Sequence, residues 1–197
     1  YPELEVQILE RTTADMLRDL EQGIVDLGVL VTPLADEALR TIPLYMEPLL
    51  AYVHNDHSAA PIPSGSLTTD DLPIENMLLL EEGHCFRAQA LQLCGASERG
   101  TQLGFRCESG SLETLKRLVK ETGGSTLIPG LEAVTMDKDP HVRAFADPEP
   151  AREVSLVVRP NFHREALLDG LKQAIMHSVP RPYRVFPNYR RLPWHQI

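Results

Sequence analysis

Two cysteines nine residues apart are the side chains of this sequence best suited to redox chemistry. They are Cys85 and Cys94 in the segment GHCFRAQALQLC, residues 83–94. If residues 86–94 form a helix, the two positions lie about 13 Å apart along its axis, whereas a disulfide needs Cα atoms within about 7 Å. An extended or looped segment of this length brings its ends together at modest cost. The spacing suits a thiol switch, and the alternative is a pair of ordinary buried free cysteines.

Cys85 has the surroundings of a reactive thiol. It is predicted at the N-terminus of a helix, where free amides and the helix dipole favour the thiolate. His84 precedes it and Arg87 follows it, and either side chain adds a hydrogen bond or positive charge. Glu81 and Glu82 act in the opposite direction, because negative charge nearby disfavours a thiolate.

The third cysteine is not expected to take part. Cys107 lies in an apparent strand, LGFRC, and is interpreted as a structural thiol. His84 and the three cysteines contain no C-x₂₋₄-C or H-x₃₋₅-H pair of the kind that assembles zinc sites. We therefore expect neither a metal nor a cofactor.

Hydrophobic periodicity predicts the elements that position these residues. Residues 4–10 alternate apolar and polar side chains and predict a strand, and residues 26–32 predict a second, buried strand. Thr12 and Thr13 look like the N-cap of a helix between them, which Gly23 ends. A strand–helix–strand unit of this length predicts a parallel sheet. Similar signals predict further strands at 77–80, 103–107, 125–128 and 153–158. They also predict three more helices: one follows residues 81–84, one is capped by Ser111 and stopped by Gly123-Gly124, and one runs from Asn161 to about Met176.

Composition limits the classes of function. The chain has 197 residues, and its 43% hydrophobic content is typical of a globular protein. Because its net charge is -9, we do not expect it to bind nucleic acid by itself. No apolar run approaches the roughly 18 residues of a membrane helix, and Tyr1 begins no signal peptide. An odd number of cysteines favours reduced thiols and a cytoplasmic location.

The pattern of elements predicts an α/β fold in two lobes. The chain is expected to cross between lobes at the apolar run 44–53 and again at the strand 153–158. Such folds bind ligands where strands end and helices begin, in the cleft between lobes.

Three segments together resemble a known family. GHC-x₈-C, followed by SLETLKRLVKETGGSTLIPGLEAV, is similar to the regulatory domain of the hydrogen-peroxide-sensing LysR-type transcriptional regulators, and YPELEVQILERTTADMLRDLEQGIVDLGVLV is general to LysR-type effector domains. The resemblance implies a two-lobed periplasmic-binding-protein-like effector domain, each lobe a mostly parallel sheet flanked by helices. Residues 1–45 plus 152–179 would form the first lobe, whose first strand and helix are expected upstream of Tyr1. Residues 46–151 would form the second, redox-active lobe, and 180–197 an aromatic and basic tail.

The resemblance also implies a role for each site residue. Cys85 matches the cysteine that peroxide oxidises, and Cys94 matches the cysteine that condenses with it to a disulfide. Thr13, His84 and Arg152 match residues that hold peroxide or support the thiolate. The implied protein is not an enzyme but a redox-sensing, homo-oligomeric transcription factor for oxidative-stress genes, a dimer or, at full length, a tetramer. It would contact DNA and RNA polymerase only through the full-length protein, bind no membrane, and be reset by a cellular thiol reductant.

Two other functions remain open on the sequence. One is a LysR-type effector domain that binds a small ligand in the interlobal cleft, with incidental cysteines. The other is a catalytic thiol peroxidase. The tail is either an arm that packs on another subunit or a floppy terminus; the arm would use its aromatic residues Tyr183, Phe186, Tyr189 and Trp194.

Overall fold

The described part of the chain contains both helices and strands, interspersed along the sequence, as expected for an α/β protein. The computed structural model describes residues 3–34, 38–54, 65–72, 76–81, 84–94, 109–136, 139–184 and 189–192, with the backbone alone at Cys85 and Cys94. The elements in chain order are α1 (Thr13–Gln22), β1 (Leu27–Thr32), β2 (Arg40–His54), α2 (Cys85–Cys94), α3 (Leu112–Thr122), β3 (Gly124–Pro129), α4 (Gly130–Val134), β4 (Val142–Arg143), β5 (Pro150–Val158), α5 (Glu165–Ser178) and β6 (Arg190–Arg191), with 3₁₀ turns at Thr69–Asp71 and Arg181–Arg184.

Two helices begin and end where their capping residues predict. The Thr12 side chain accepts a hydrogen bond from the Asp15 amide at 3.2 Å, and α1 ends at Gly23, whose φ of 74° is in the left-handed region. Ser111 caps α3 in the same way, and α3 ends at Gly123 with φ 79°. Local hydrogen bonding therefore sets the bounds of both helices.

The other two predicted helices are also present. α2 begins at Cys85 and ends at Cys94, so both cysteines of the pair are terminal residues of one helix. α5 begins at Glu165 rather than Asn161, and Arg164 at its N-cap makes no side-chain capping bond. Asn161 instead lies in the turn that follows β5.

A single long strand joins the two parts of the sheet. The strand order is β1-β5-β2-β3, with β4 paired to β2 and β6 to β5. Residues Arg40 to Pro48 of β2 pair with β5, and Leu49 to His54 pair with β3. The apolar run predicted as a crossing is therefore one strand that runs between two sheet regions.

The predicted strand at 4–10 and the predicted parallel direction are wrong for the described residues. Residues 4–10 carry no strand, and Leu4, Val6 and Ile8 are 47%, 67% and 88% exposed. An alternating pattern becomes a strand only where a neighbour accepts its hydrogen bonds, and β1 pairs with β5 instead. Among the described ladders only β5 with β6 is parallel, besides three isolated parallel bridges.

The remaining strand predictions have mixed outcomes. The strands at 125–128 and 153–158 are confirmed as parts of β3 and β5. Residues 77–80 form only isolated bridges, at Met77 and Leu80. The predicted strand 103–107, with Cys107, lies outside the described residues. The short elements α4, β4 and β6 were not predicted, because each has too few residues to show a periodicity.

The hydrophobic core is divided in the way that a two-lobed domain requires. The largest cluster lies between the second half of β2, β3, α2 and α3, and separate clusters lie under α1 and α5. The residues with the least exposed side chains belong mainly to the large cluster, among them Leu49, Tyr52, Leu67, Leu115, Leu127, Ile128 and Leu192. α2 is thus a wall of the larger core rather than an appendage on the surface.

Candidate functional site

A buried ion pair lies beside the first turn of α2. Arg152 of β5 and Glu47 of β2 are register partners on adjacent antiparallel strands. The Nε and Nη2 atoms of Arg152 both lie 2.7 Å from Oε2 of Glu47, and the two side chains are only 15% and 3% exposed. The guanidinium carbon of Arg152 lies 5.1 Å from the ring centroid of Phe86, the residue after Cys85. The pair therefore contacts α2 through an aromatic ring.

Glu47 is held on both of its oxygens. While Oε2 binds Arg152, Oε1 accepts a hydrogen bond from the backbone amide of Leu131 in α4 at 3.1 Å. A buried carboxylate is costly unless its lone pairs are satisfied, and here partners on both oxygens of Glu47 hold its side chain in place. Nη1 of Arg152 has no polar partner among the described residues.

His84 lies in a polar corner formed by three chain segments. Its Nε2 is 3.5 Å from Oε1 of Glu81, and its side chain is 30% exposed. The Glu81 amide donates to the carbonyl of Ser109 at 3.1 Å, which brings the start of α3 alongside. A Cβ on Gly110 would lie 2.8 Å from Glu81 Oε1 and 3.6 Å from His84 Nε2, so only glycine fits between them without displacing the glutamate.

α2 is docked by apolar contacts and very few polar ones. Phe86, Ala90, Leu91 and Leu93 are buried. Gln89 is also fully buried, and its Oε1 accepts no hydrogen bond from the described part of the chain. A further anchor comes from Arg87, whose Nη1 donates to the carbonyl of Leu80 at 3.0 Å. An unsatisfied amide oxygen raises the free energy of the docked helix and so lowers the cost of undocking it.

Thr13 is buried, and no described hydrogen bond or ion pair joins it to the other predicted site residues. It is the first residue of α1 and is 6% exposed. Among the described residues, no hydrogen bond or ion pair links Thr13 to His84 or Arg152. The structure thus places His84 and Arg152 at the first turn of α2 and leaves Thr13 on another element.

Sequence reasoning missed Glu47 and Phe86. Glu47 is the single charged residue in the apolar segment LYMEPLLAYV, and a charge in a buried strand needs a partner of opposite charge. That signal identifies Glu47 as paired but does not say with which of the 19 basic residues. Phe86 gave no signal of its own, because an aromatic residue on a helix is ordinarily core.

An open apolar groove lies next to the Glu47–Arg152 pair, because Leu131, which lines it, donates its amide to Glu47. Its volume is about 410 Å³, and it is lined by Tyr45, Leu131, Ala174, Ile175, Ser178 and Val179. Burial, with the charge of Glu47 as a lesser cause, raises the pKa of Tyr45 to about 12, so its hydroxyl stays protonated. None of the predicted site residues lines this groove.

The described residues contain neither a metal-ligand cluster nor a membrane-spanning helix. Within those ranges no group of three His, Cys, Asp or Glu side chains is placed to hold a metal ion. No helix in the same part of the chain is long and apolar enough to cross a membrane.

The structure is that of a two-lobed α/β effector domain. Its core is divided, strand β2 is shared by both sheet regions, and α2 is docked beside the polar corner at His84. Comparison with known proteins identifies the kind: the chain belongs to the LysR substrate binding domain family, whose pattern matches residues 1–179. The predicted periplasmic-binding-protein-like class is thereby confirmed, apart from the strand directions corrected above.

Individual relatives are also similar to this chain. It is 33% identical over 177 residues to the Escherichia coli (strain K12) protein described as DNA-binding transcriptional dual regulator OxyR, covering 89% of this chain and 57% of that protein. It is 33% identical over 181 residues to the hydrogen peroxide-inducible genes activator of Haemophilus influenzae, covering 91% of this chain and 59% of that protein. The chain thus spans less than two thirds of the length of these curated relatives.

Solved structures agree with these matches. The crystal structure of an OxyR mutant from Porphyromonas gingivalis is similar with a TM-score of 0.83 at 28% identity, covering 96% of this chain and 87% of the other. A structure of the reduced form of OxyR is similar with a TM-score of 0.72 at 32% identity, covering 89% of this chain and 82% of the other. The resemblance to peroxide-sensing LysR-type regulators predicted from GHC-x₈-C is confirmed.

Proposed function

We propose that this chain is the redox-sensing regulatory domain of a transcription factor, in which hydrogen peroxide oxidises Cys85 and a disulfide to Cys94 remodels the domain. The relatives it resembles are described as a transcriptional dual regulator and a hydrogen peroxide-inducible activator. The proposal carries that activity to this chain on the strength of its own residues.

The position of the two cysteines in α2 is the observation that carries the proposal. Cys85 and Cys94 are the first and last residues of the helix. Nine residues of helical rise separate them by about 13 Å, roughly twice the Cα separation that a disulfide tolerates. Forming the bond therefore requires α2 to unwind, and oxidation is coupled to a change of fold.

The chemistry balances with peroxide as the oxidant. The Cys85 thiolate attacks one peroxide oxygen; an S–O bond forms, the O–O bond breaks, and the other oxygen leaves as hydroxide. The Cys94 thiolate then attacks the sulfenic sulfur; the S–S bond forms and a second hydroxide leaves. Two thiols lose two electrons, one peroxide becomes two waters, and a cellular dithiol or glutathione-type reductant returns the electrons.

Three side chains are proposed to assist this step. His84 precedes Cys85, and Arg152 contacts the first turn of α2 through Phe86. Both are proposed to donate hydrogen bonds at the N-terminus of α2, where negative charge would develop on the leaving oxygen. Thr13 is proposed as a third donor, and its place in the pocket depends on how the two lobes close.

The bounds of the lobes and the partners are proposed from the resemblance to the family. We propose that residues 1–45 and 152–179 form one lobe, and that residues 46–151 form the redox-active lobe. Homo-oligomer formation, DNA, RNA polymerase and a cytoplasmic location are proposed for the full-length protein, because the chain spans 57% of its Escherichia coli relative. Regulation rather than catalytic turnover is expected, so peroxide should be consumed stoichiometrically.

The alternative is a small ligand in the interlobal cleft, as the name of the family suggests. On that alternative, Cys85→Ser has no effect on signalling, and a ligand shifts the melting temperature. On the proposal, Cys85→Ser abolishes the response to peroxide.

Thiol mapping of the reduced chain after stoichiometric peroxide tests the proposal. The expected product links Cys85 to Cys94 and leaves Cys107 free, and Cys107→Ser, as the matched control, reacts like the parent. Cys94→Ser should accumulate sulfenic acid at Cys85 and then overoxidise. A dominant bond to Cys107, or a sulfenate on Cys94 in the Cys85→Ser variant, would show that the assigned roles are wrong.

A further inference from the structure

The segment after residue 179 lies beyond the family match and yet is tied to the domain. Of its residues, 180–184 and 189–192 are described. The Arg190 amide donates to the Glu149 carbonyl at 2.9 Å, and the Leu192 amide donates to the Ala151 carbonyl at 2.8 Å. These bonds make β6 a parallel neighbour of β5. We call residues 189–192 the C-terminal strap.

A polar network fixes the strap further along β5. The Arg191 guanidinium pairs with Oε2 of Glu153. The other oxygen of Glu153 accepts a hydrogen bond from Thr32 at 2.8 Å, and Thr32 lies 2.7 Å from the Ser155 hydroxyl. The side chains of Thr32 and Ser155 are almost fully buried. The strap is therefore held on strands β1 and β5 by specific hydrogen bonds and an ion pair.

The end of the strap reaches the redox helix. Leu192 is only 2% exposed and belongs to the same core cluster as Phe86, Ala90 and Leu93 of α2. Its carbonyl accepts a hydrogen bond from Nε2 of Gln89 at 3.4 Å. Because Gln89 is fully buried in α2, this bond is a polar link between the helix and the strap.

We propose that Leu192 is a positioning residue for the redox helix, and that the strap resists the unwinding of α2 that disulfide formation requires. This inference rests on the proposed function. The strap does not act on the reaction of Cys85 with peroxide, since that step occurs with α2 docked. It acts on the second step, because Cys94 meets Cys85 only after α2 leaves the core and gives up its contacts with Leu192.

The separation of the two steps provides the test. In the full chain, Leu192→Ala should leave the rate of sulfenic acid formation at Cys85 unchanged within about twofold and speed the condensation at least about fivefold, because local opening of α2 becomes easier. Stopped-flow with a sulfenate probe and quenched mass spectrometry measure the two rates. Leu192→Met, which keeps the apolar contact, should restore the parent rate of condensation.

Leu168→Ala is the matched control. Leu168 is as buried as Leu192 but lies in a different cluster, with Val158 and Phe162. It should lower global stability without changing the condensation rate. Equal acceleration by Leu168→Ala and Leu192→Ala, or no acceleration by Leu192→Ala, overturns the proposal.

Hydrogen exchange in the reduced protein tests the strap independently of peroxide. Amides of residues 86–93 should exchange faster in Leu192→Ala, whereas those of α3 should not change. If that variant does not fold, Arg191→Gln, which removes only the ion pair to Glu153, should raise the same exchange rates at least about twofold. Unchanged exchange rates would refute the proposal that the strap holds α2 in place. A parent chain that forms no Cys85–Cys94 disulfide would instead refute the proposed function.

Discussion

Glu47 and Arg152 stand directly opposite each other on β2 and β5 and form a buried ion pair of 2.7 Å at the junction of the two sheet regions. The sequence resemblance implied that Arg152 supports the Cys85 thiolate. The structure adds that its charge is already balanced by Glu47. We therefore expect any effect of Arg152 on Cys85 to come from hydrogen bonding and from its contact with Phe86 more than from net positive charge.

Removal of the Glu47 charge should destabilise the domain. Glu47→Gln leaves the guanidinium of Arg152 buried without a counter-ion, which costs about 3 kcal/mol of unfolding free energy. Urea unfolding of the reduced protein measures it. As a control, Glu165→Gln removes the partner of Arg40 in an exposed, solvent-screened pair and should have a much smaller effect on stability. Equal effects of the two substitutions would mean that the buried pair contributes no more than a surface pair.

Thr13→Val should slow the oxidation of Cys85. The hydroxyl is proposed to hydrogen-bond peroxide, and one such bond to a developing charge is worth about 2–4 kcal/mol, or at least about tenfold in rate. The structure supplies a matched control, because the cap of α1 is Thr12 rather than Thr13. Thr12→Ala should lower stability by about 1 kcal/mol and leave the rate unchanged. Stopped-flow rates that stay within twofold for Thr13→Val would remove Thr13 from the pocket.

α2 should be the element that remodels on oxidation. Its amides at 86–94 should be protected in the reduced protein and exchange fast in the disulfide form, because the helix cannot persist with its ends bonded. α3, which is capped at both ends, is the internal reference and should change little. Hydrogen exchange with mass spectrometry in both redox states reads this out. Equal protection of 86–94 in the two states would favour the cleft-ligand alternative.

The Asp139 cluster should make stability depend on pH. Burial opposes the charged form of Asp139, but the His141 amide, Lys120 and Tyr52 together hold its pKa below the ordinary value. A depressed folded-state pKa gives stability that is present above the unfolded value, about pH 4, and is lost as the pH falls through the folded pKa. Asp139→Asn should therefore be less stable than the parent at neutral pH, with a difference that shrinks in acid. Thermal melts from pH 7 downward measure it, and a difference independent of pH would contradict the assignment.

Several features of this protein follow from local sequence because their causes are local. Thr12 and Gly23 bound α1, and Ser111 and Gly123 bound α3, through hydrogen bonds to the nearest turn. The segment between Cys85 and Cys94 is helical as predicted, and GHC-x₈-C identified the kind of protein. These signals depend on residues within one helix.

Tertiary structure alone decided strand direction and the long-range pairs. The alternation of apolar and polar residues at 4–10 predicts a strand. Whether a neighbouring strand accepts its hydrogen bonds depends on residues far away in sequence, and β5 pairs with β1 instead. Glu47 meets Arg152 across 105 residues, and Gln89 meets Leu192 across 103. A charge or an amide in an apolar segment predicts only that a partner exists. The tertiary structure decides which residue is the partner. A buried polar group can form a hydrogen bond or ion pair only with a group that the packing of the strands brings next to it.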